Sequence, residues 1–557
     1  MIKTNAATSL NPWWILGFVC LPVFIGSLDL TVVSAFLPEV ILQLELPLQT
    51  GLDDAAWILS GYLLAYTVGL TFMGRVSDLI GRRKVYLACL IVFMAGSVIV
   101  AEVDPAARQG IAGLFYNLVY RIQGERPDPG GIALLTIIMG RVVQALGAGA
   151  LVPVSLALVG DLFPPAKRAR PLGLIGAIDT LGWVLGHLYG GIFVKLIADL
   201  SEDANWSWLF GSADWRWLFW INVPLTLIAL GAVVWSMRGV PQNTAQGRFD
   251  FLGTGLITGA LLCLTLGLGA NVEVSASTSL EDLSPLPPYA APVLALGGVF
   301  LLGFILVEAR VRDPIMNLRL FLRRNISAGA LTNLFVGYCI FIGLVIVPIL
   351  LNARAEDRDN LRDVALQVGL LLSTLTIPMA LAALPGGWLT ERIGMQKTTL
   401  IGLSLAGVGF ALVWRTWTID IDTLAISLQM MLIGIGLGLT FSPISAAVIN
   451  SAYEHERGVA SALVIILRLI GGTISVSTLT AIALWRVNVL ADQQGISAAL
   501  DLNTIDAYAQ ITGQVLSELG LIGVVMCLVA LIPAALMRDD EKLKTETIEG
   551  ASAVIGD

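Results

Sequence analysis

Charge is scarce in this chain of 557 residues: Asp, Glu, Lys and Arg make up 13% of it, about half their share in an ordinary water-soluble domain. A soluble enzyme is disfavoured from the outset. The two histidines stand in distant segments, and the five cysteines, Cys20, Cys89, Cys263, Cys339 and Cys527, show no CxxC spacing. That pattern supports neither a zinc site nor a disulfide framework, and it assigns the cysteines to packing. No HExxH or GxSxG sequence supplies metal ligands or a nucleophile, so no catalytic or metal-binding residues are assigned and the chain does not read as an enzyme. It has no Walker A loop to hold ATP and no basic stripe for nucleic acid, and no removable signal peptide is expected from its first residues.

What it has instead is apolar sequence, 56% of all residues, gathered into runs of about 20, the length a helix needs to cross ~30 Å of hydrocarbon. Fourteen spans are expected, near 13–37, 55–74, 85–103, 132–160, 172–197, 215–236, 251–270, 290–308, 326–351, 364–389, 398–415, 424–450, 458–485 and 513–537. The fold class is therefore an all-α polytopic membrane protein. Segments on one side of these spans carry 21 Lys and Arg against 8 on the other. Because basic residues stay on the cytoplasmic side, both termini are expected there, in the plasma or inner membrane. The opposite side is acidic and accounts for much of the net charge of −8. On that side the stretch IAGLFYNLVYRIQ, from Ile111, is either a short helix lying on the membrane surface or a disordered loop. The polar tail is expected to be disordered.

The chain also repeats itself. GRVSDLIGRRK, Gly74 to Lys84, aligns without gaps with GWLTERIGMQK, Gly387 to Lys397, pairing Gly81 with Gly394 and Asp78 with Glu391. If each copy follows the second helix of a bundle, residues 13–236 and 326–537 form two six-helix bundles. Residues 237–325 then carry an inserted helix pair, 1–12 a cytoplasmic N-terminus and 538–557 the tail. Repeated halves of this kind rock about a central site in alternating access.

These segments resemble known motifs. GRVSDLIGRRK is similar to the loop motif of the major facilitator superfamily, and SLDLTVVSAFLPEV from Ser27 to the first-helix motif of its fourteen-helix drug:proton antiporter branch. RVVQALGAGALVPVSLAL from Arg141, GWVLGHLYGG from Gly182, WRWLFWINVP from Trp215 and RLIGGTISVS from Arg468 resemble that branch's motifs in helices 4, 5, 6 and 13. The resemblance covers nearly all of the chain up to the tail. It implies a major facilitator fold of two six-helix bundles plus two inserted helices. It also implies proton-coupled efflux of small amphiphilic compounds, multidrug export in the first instance, with the proton gradient as energy source and no cofactor. A lipid or metabolite exporter of the same fold is the main alternative, ahead of an uptake symporter or a transport-dead scaffold. The implied partners are the substrate, protons and membrane lipids.

Asp29 carries the chemistry of that expectation. It lies ~24 Å along the first span, where an ionised carboxylate is costly and marks an ion or substrate path. Arg141 enters the fourth span to a compatible depth, with Gln144 one turn on. Together they form either a proton-exchanging pair in a central cavity or a static ion pair that fixes packing. Asp179 reads as a second proton carrier, a substrate-facing charge or a solvated residue. Arg468, in span 13, needs a partner, which Asp179, a carbonyl, water or an anionic substrate would supply. Trp57, Tyr62 and Tyr66 are further candidates for the cavity wall.

Gly74 and Gly81 are expected to permit a tight turn. There Arg82, Arg83 and Lys84 hold Asp78 in a conformational latch, with Glu391 its counterpart in the second copy. Gly182, Gly186, Gly190 and Gly191 make one smooth helix face for close approach of another helix, which in an antiporter seals the two bundles. His187 stands where the resembling motif has proline, and serves either as a packing residue or as a group titrating near neutral pH.

Overall fold

A computed structural model of the chain describes residues 10–33, 40–41, 43–44, 51–202, 214–240, 244, 247–268, 289–312, 314–354, 361–493 and 502–539. It is all-helical among these residues, in two compact units. The first comprises residues 1–158 and 178–249, the second 159–177 and 250–557.

Helices α1 (Pro12–Thr31), α2 (Gly51–Ile80), α3 (Arg82–Ala101), α4 (Gly110–Gln123), α5 (Pro129–Ala148) and α8 (Trp217–Ser236) lie in the first unit. Helices α6 (Leu151–Leu162) and α7 (Ala169–Glu202) pass from one unit to the other. Local chemistry sets several starts. The Asn11 side chain accepts from the Trp13 N–H at 3.1 Å ahead of Pro12, and Asp128 accepts from Gly131 at 2.8 Å ahead of Pro129, so each helix opens on a capping side chain followed by proline at its first position. The expected fourth span is interrupted at Gly149 and Ala150, between α5 and α6.

The second unit holds α9 (Phe251–Leu268), α10 (Ala290–Glu308), α11 (Arg324–Arg354), α12 (Leu361–Ile393), α13 (Met395–Thr416), α14 (Thr423–Ser451), α15 (Arg457–Gln493) and α16 (Leu502–Leu536). Helices α12, α13 and α14 pack together, as do α11, α15 and α16. The pair α9–α10 packs mainly on itself, and only 17% of the α10 span is buried. Val299, Leu302 and Leu306 are left exposed there, which suits hydrocarbon rather than water.

Thirteen helices among the described residues are long and apolar enough to cross a membrane, and the continuous 34-residue α7 covers the expected fifth span. The chain is a multi-pass membrane protein. Some ends differ from expectation. Helix α2 runs through Gly74 to Ile80, so the turn expected at Gly74 and Gly81 falls at Gly81 alone, whose φ of 103° favours glycine. The long loop expected over 486–512 is largely helix, because α15 continues to Gln493 and α16 begins at Leu502. Arg486 of α15 and Glu518 of α16 form a two-pronged ion pair at 2.7 and 2.9 Å, between polar turns that apolar periodicity does not reveal.

The stretch from Ile111 is helical. Phe115, Tyr116 and Val119 of α4 pack against buried Ala107, Ala112 and Ile132, while Leu114, Leu118 and Ile122 form an exposed stripe at four-residue spacing. An apolar stripe left uncovered on such a helix fits a position in the membrane interface.

Candidate functional site

The first unit gathers its buried polar groups around Asp29, which is 1% exposed. From α5, Arg141 donates through Nη1 to Asp29 Oδ2 at 2.5 Å and through Nη2 to the Asp29 carbonyl at 3.1 Å. Gln144, one turn on, donates through Nε2 to Asp29 Oδ1 at 3.0 Å and accepts from Arg141 Nη1 at 2.6 Å. Asn222 of α8 donates to the same Oδ1 at 2.7 Å. The carboxylate thus meets one full charge and several oriented dipoles, the arrangement a buried anion requires. Asp29, Arg141 and Gln144 are brought together as the sequence suggested.

Packing fixes these donors. Gly96 of α3 lies so close to Gln144 that a Cβ at Gly96 would stand 2.3 Å from the Gln144 backbone nitrogen. That approach lets Ser97 Oγ accept from Gln144 Nε2 at 2.8 Å. Tyr62 of α2, fully buried, lays its ring 3.9 Å from the centre of the Arg141 guanidinium and stacks on Tyr66, a cation–π contact that is strongest where water is excluded. Trp57, by contrast, is exposed.

Sequence reasoning missed Ser97 and Asn222. Neutral polar residues in apolar runs are common, so Ser97 gave no signal, whereas Asn222 lies inside WRWLFWINVP and was legible as part of that motif.

Asp179 is absent from the Asp29 cluster. It accepts from Ser27 Oγ at 2.6 Å. Residues two apart on a helix do not share a face, so α1 presents Asp29 to α5 and Ser27 to α7. The same helix pair explains two glycines, since a Cβ at Gly182 would collide with Ser27 and one at Gly186 with Thr31 and the Leu28 carbonyl. Thr31 Oγ1 also donates to the Trp183 carbonyl at 2.7 Å. Gly182 and Gly186 therefore seat α7 on α1 within this unit. Gly190, Gly191 and His187 fall on helical backbone whose surroundings lie outside the described residues.

At the end of α2, Arg82 Nη1 lies 2.5 Å from Asp78 Oδ1 and 2.6 Å from Ser77 Oγ, with Asp78 and Arg82 almost wholly buried. Arg83 reaches toward the Val234 carbonyl at 3.5 Å. In the second unit Glu391 pairs with Arg170 at 2.6 Å, and the Arg468 guanidinium lies 4.1 Å from the centre of the Phe441 ring.

A family model described as Major Facilitator Superfamily matches residues 19–476. Among similar proteins is a triacylglyceride transporter of Mycobacteroides abscessus, 30% identical over 83% of this chain and 81% of its own. Another, from Mycobacterium tuberculosis, is also named a triacylglyceride transporter and is 31% identical over 87% of this chain and 84% of its own. Among solved structures, the proton:xylose symporter XylE is 13% identical with a TM-score of 0.54, over 92% of this chain and 94% of that one. The human organic anion transporter MFSD10 is 14% identical with a TM-score of 0.55, over 93% of this chain and all of that one. At such low identity, these two structures establish the fold alone.

Proposed function

The chain belongs to the major facilitator superfamily, and from that premise we propose that it is a proton-coupled exporter of an apolar, glyceride-like lipid, working by alternating access. It is a transporter of lipid-like compounds by its kinship with the two mycobacterial triacylglyceride transporters. The finer reading rests chiefly on one observation: a carboxylate 1% exposed, held by Arg141, Gln144 and Asn222 from two other helices.

In this reading Asp29 is ionised while those donors surround it and is protonated when they withdraw. Desolvation favours the neutral acid and the guanidinium favours the anion, so a shift of α5 or α8 relative to α1 converts helix motion into proton uptake or release. The Tyr62 ring keeps the guanidinium in place through the cycle. The Asp78–Arg82 pair holds one of the two access states. The protein would sit in the cell membrane with both termini cytoplasmic, and the energy source would be the proton gradient.

Export of amphiphilic drugs remains a second reading, favoured by the glycine-rich α7 sequence GWVLGHLYGG. A single assay separates the two: proteoliposomes carrying a fluorescent acylglycerol, or a cationic dye, under an imposed pH gradient. The expected result is gradient-driven movement of the acylglycerol, reduced in Asp29→Asn to the rate seen without a gradient. Undiminished gradient-driven transport in that variant overturns the proton role, and movement of the dye alone overturns the lipid reading.

A further inference from the structure

The first unit contains a second feature, remote in sequence from Asp29 and used by none of the chemistry above. A cavity of about 760 Å³ lies where the end of α3, the start of α4 and the start of α8 meet. Its volume falls in the range of small-molecule sites, ~300–1,000 Å³. Its mouth is acidic, with Glu102, Asp104 and Asp214 against Arg216. The rest of the lining on α8 is Trp217, Trp220, Ile221 and Pro224, spread over ~10 Å of helix, with Trp220 still 37% exposed.

Two of the three carboxylates already have work. Asp104 accepts from the backbone N–H groups of Ala106, Arg108 and Gln109 at 2.9–3.1 Å and so shapes the loop. Asp214 pairs with Arg216 at 2.7 Å, and Arg216 Nη1 spends a donor on the Val103 carbonyl at 2.8 Å. Glu102 is exposed at the mouth. The guanidinium is thus neutralised by its neighbour, and Glu102, which has no ion-pair partner among the described residues, stands beside a wall that includes Trp217 and Trp220.

We propose that this cavity binds an amphiphile with a primary-amine head group, an aminophospholipid of the surrounding bilayer, with Glu102 accepting from the ammonium and the Trp220 side of α8 taking the first part of an acyl chain. The neighbouring α4 supports a lipid source. Its uncovered Leu114, Leu118 and Ile122 stripe places this end of the unit at head-group level, so the mouth opens where lipid heads are. The basic-residue distribution assigns this end to the outer face. An anionic head group would meet net negative charge, and like charges disfavour it.

Purified full-length protein, equilibrated with equal amounts of phosphatidylethanolamine and phosphatidylglycerol, tests this by native mass spectrometry. Both lipids carry the phosphate, so the comparison isolates the amine. The wild type should retain more phosphatidylethanolamine. Glu102→Gln, which keeps an acceptor oxygen but loses the charge, should reduce that preference about three- to tenfold, the difference between a charge-assisted and a neutral hydrogen bond. Glu102→Lys should reverse it, and Trp220→Ala should lower retention of both lipids without changing their ratio. Equal retention by the wild type, or an unchanged ratio in both Glu102 variants, overturns the proposal. The readout is occupancy, so it stands or falls apart from the transport assay.

Discussion

The two copies of the repeated loop have the same backbone and different electrostatics. Between α2 and α3 the break is Gly81, with φ 103°, and between α12 and α13 it is Gly394, with φ 94°. In each case a single residue in a glycine-favouring conformation separates two long helices. In the first copy, Asp78 finds its partner four residues on, in Arg82. In the second, Met395 occupies the position of Arg82, and Glu391 pairs with Arg170, distant in sequence. The N-terminus of α13 gains its own anion, Asp539, which accepts from the Met395 N–H at 2.6 Å. The turn is therefore what the repeat keeps, and the charges around it are free to be re-partnered once the turn is set.

The sharpest way to break this contrast is to make the first copy resemble the second. Arg82→Met removes the guanidinium that lies 2.5 Å from Oδ1 of Asp78, a residue 1% exposed. Removing one member of a buried pair costs about 3–5 kcal/mol, the largest effect expected at either loop. It should appear as a marked fall in the thermal unfolding midpoint of the purified protein or in its failure to accumulate. An unfolding midpoint equal to that of the wild type would mean that the other polar groups around Asp78 suffice for it.

The shared turn is tested next. Gly81→Ala and Gly394→Ala each force a side chain into a conformation L-residues seldom adopt, at about 1–3 kcal/mol. Gly394→Ala should be the worse of the two, because its Cβ would collide with the Asp539 carboxylate and disturb the cap of α13. Paired unfolding curves decide the order, and Gly81→Ala as the more damaging would show that the cap contributes little.

How much of this was legible in sequence depends on the type of signal. A charge in an apolar run is rare and costly, so Asp29 and Arg141 could be paired from depth alone, and glycines at matched positions gave the repeated turn. Direction around a helix was less visible: Ser27 and Asp29 are two residues apart, yet one faces α7 and the other α5, which separates Asp179 from the cluster. Apolar periodicity also marks where hydrocarbon ends rather than where a helix ends. That is why α15 outruns its expected limit by more than two turns, to Gln493, and why Gly74 proved to be helix interior.

The second copy's own ion pair should matter least. Arg170 has a side chain 47% exposed, against 15% for Glu391, so water competes for the guanidinium and screens the pair. Exposed pairs contribute about 0–1 kcal/mol. Arg170→Ala should therefore leave the unfolding midpoint nearly unchanged, in contrast to Arg82→Met, although the two pairs are equally short at 2.6 and 2.5 Å. The reason is that distance sets the Coulomb attraction in both, but only burial of Asp78 makes its unpaired state expensive. A loss in Arg170→Ala as large as that in Arg82→Met would show that Glu391 is shielded from water more than its exposure indicates, and would place the two loops on the same electrostatic footing.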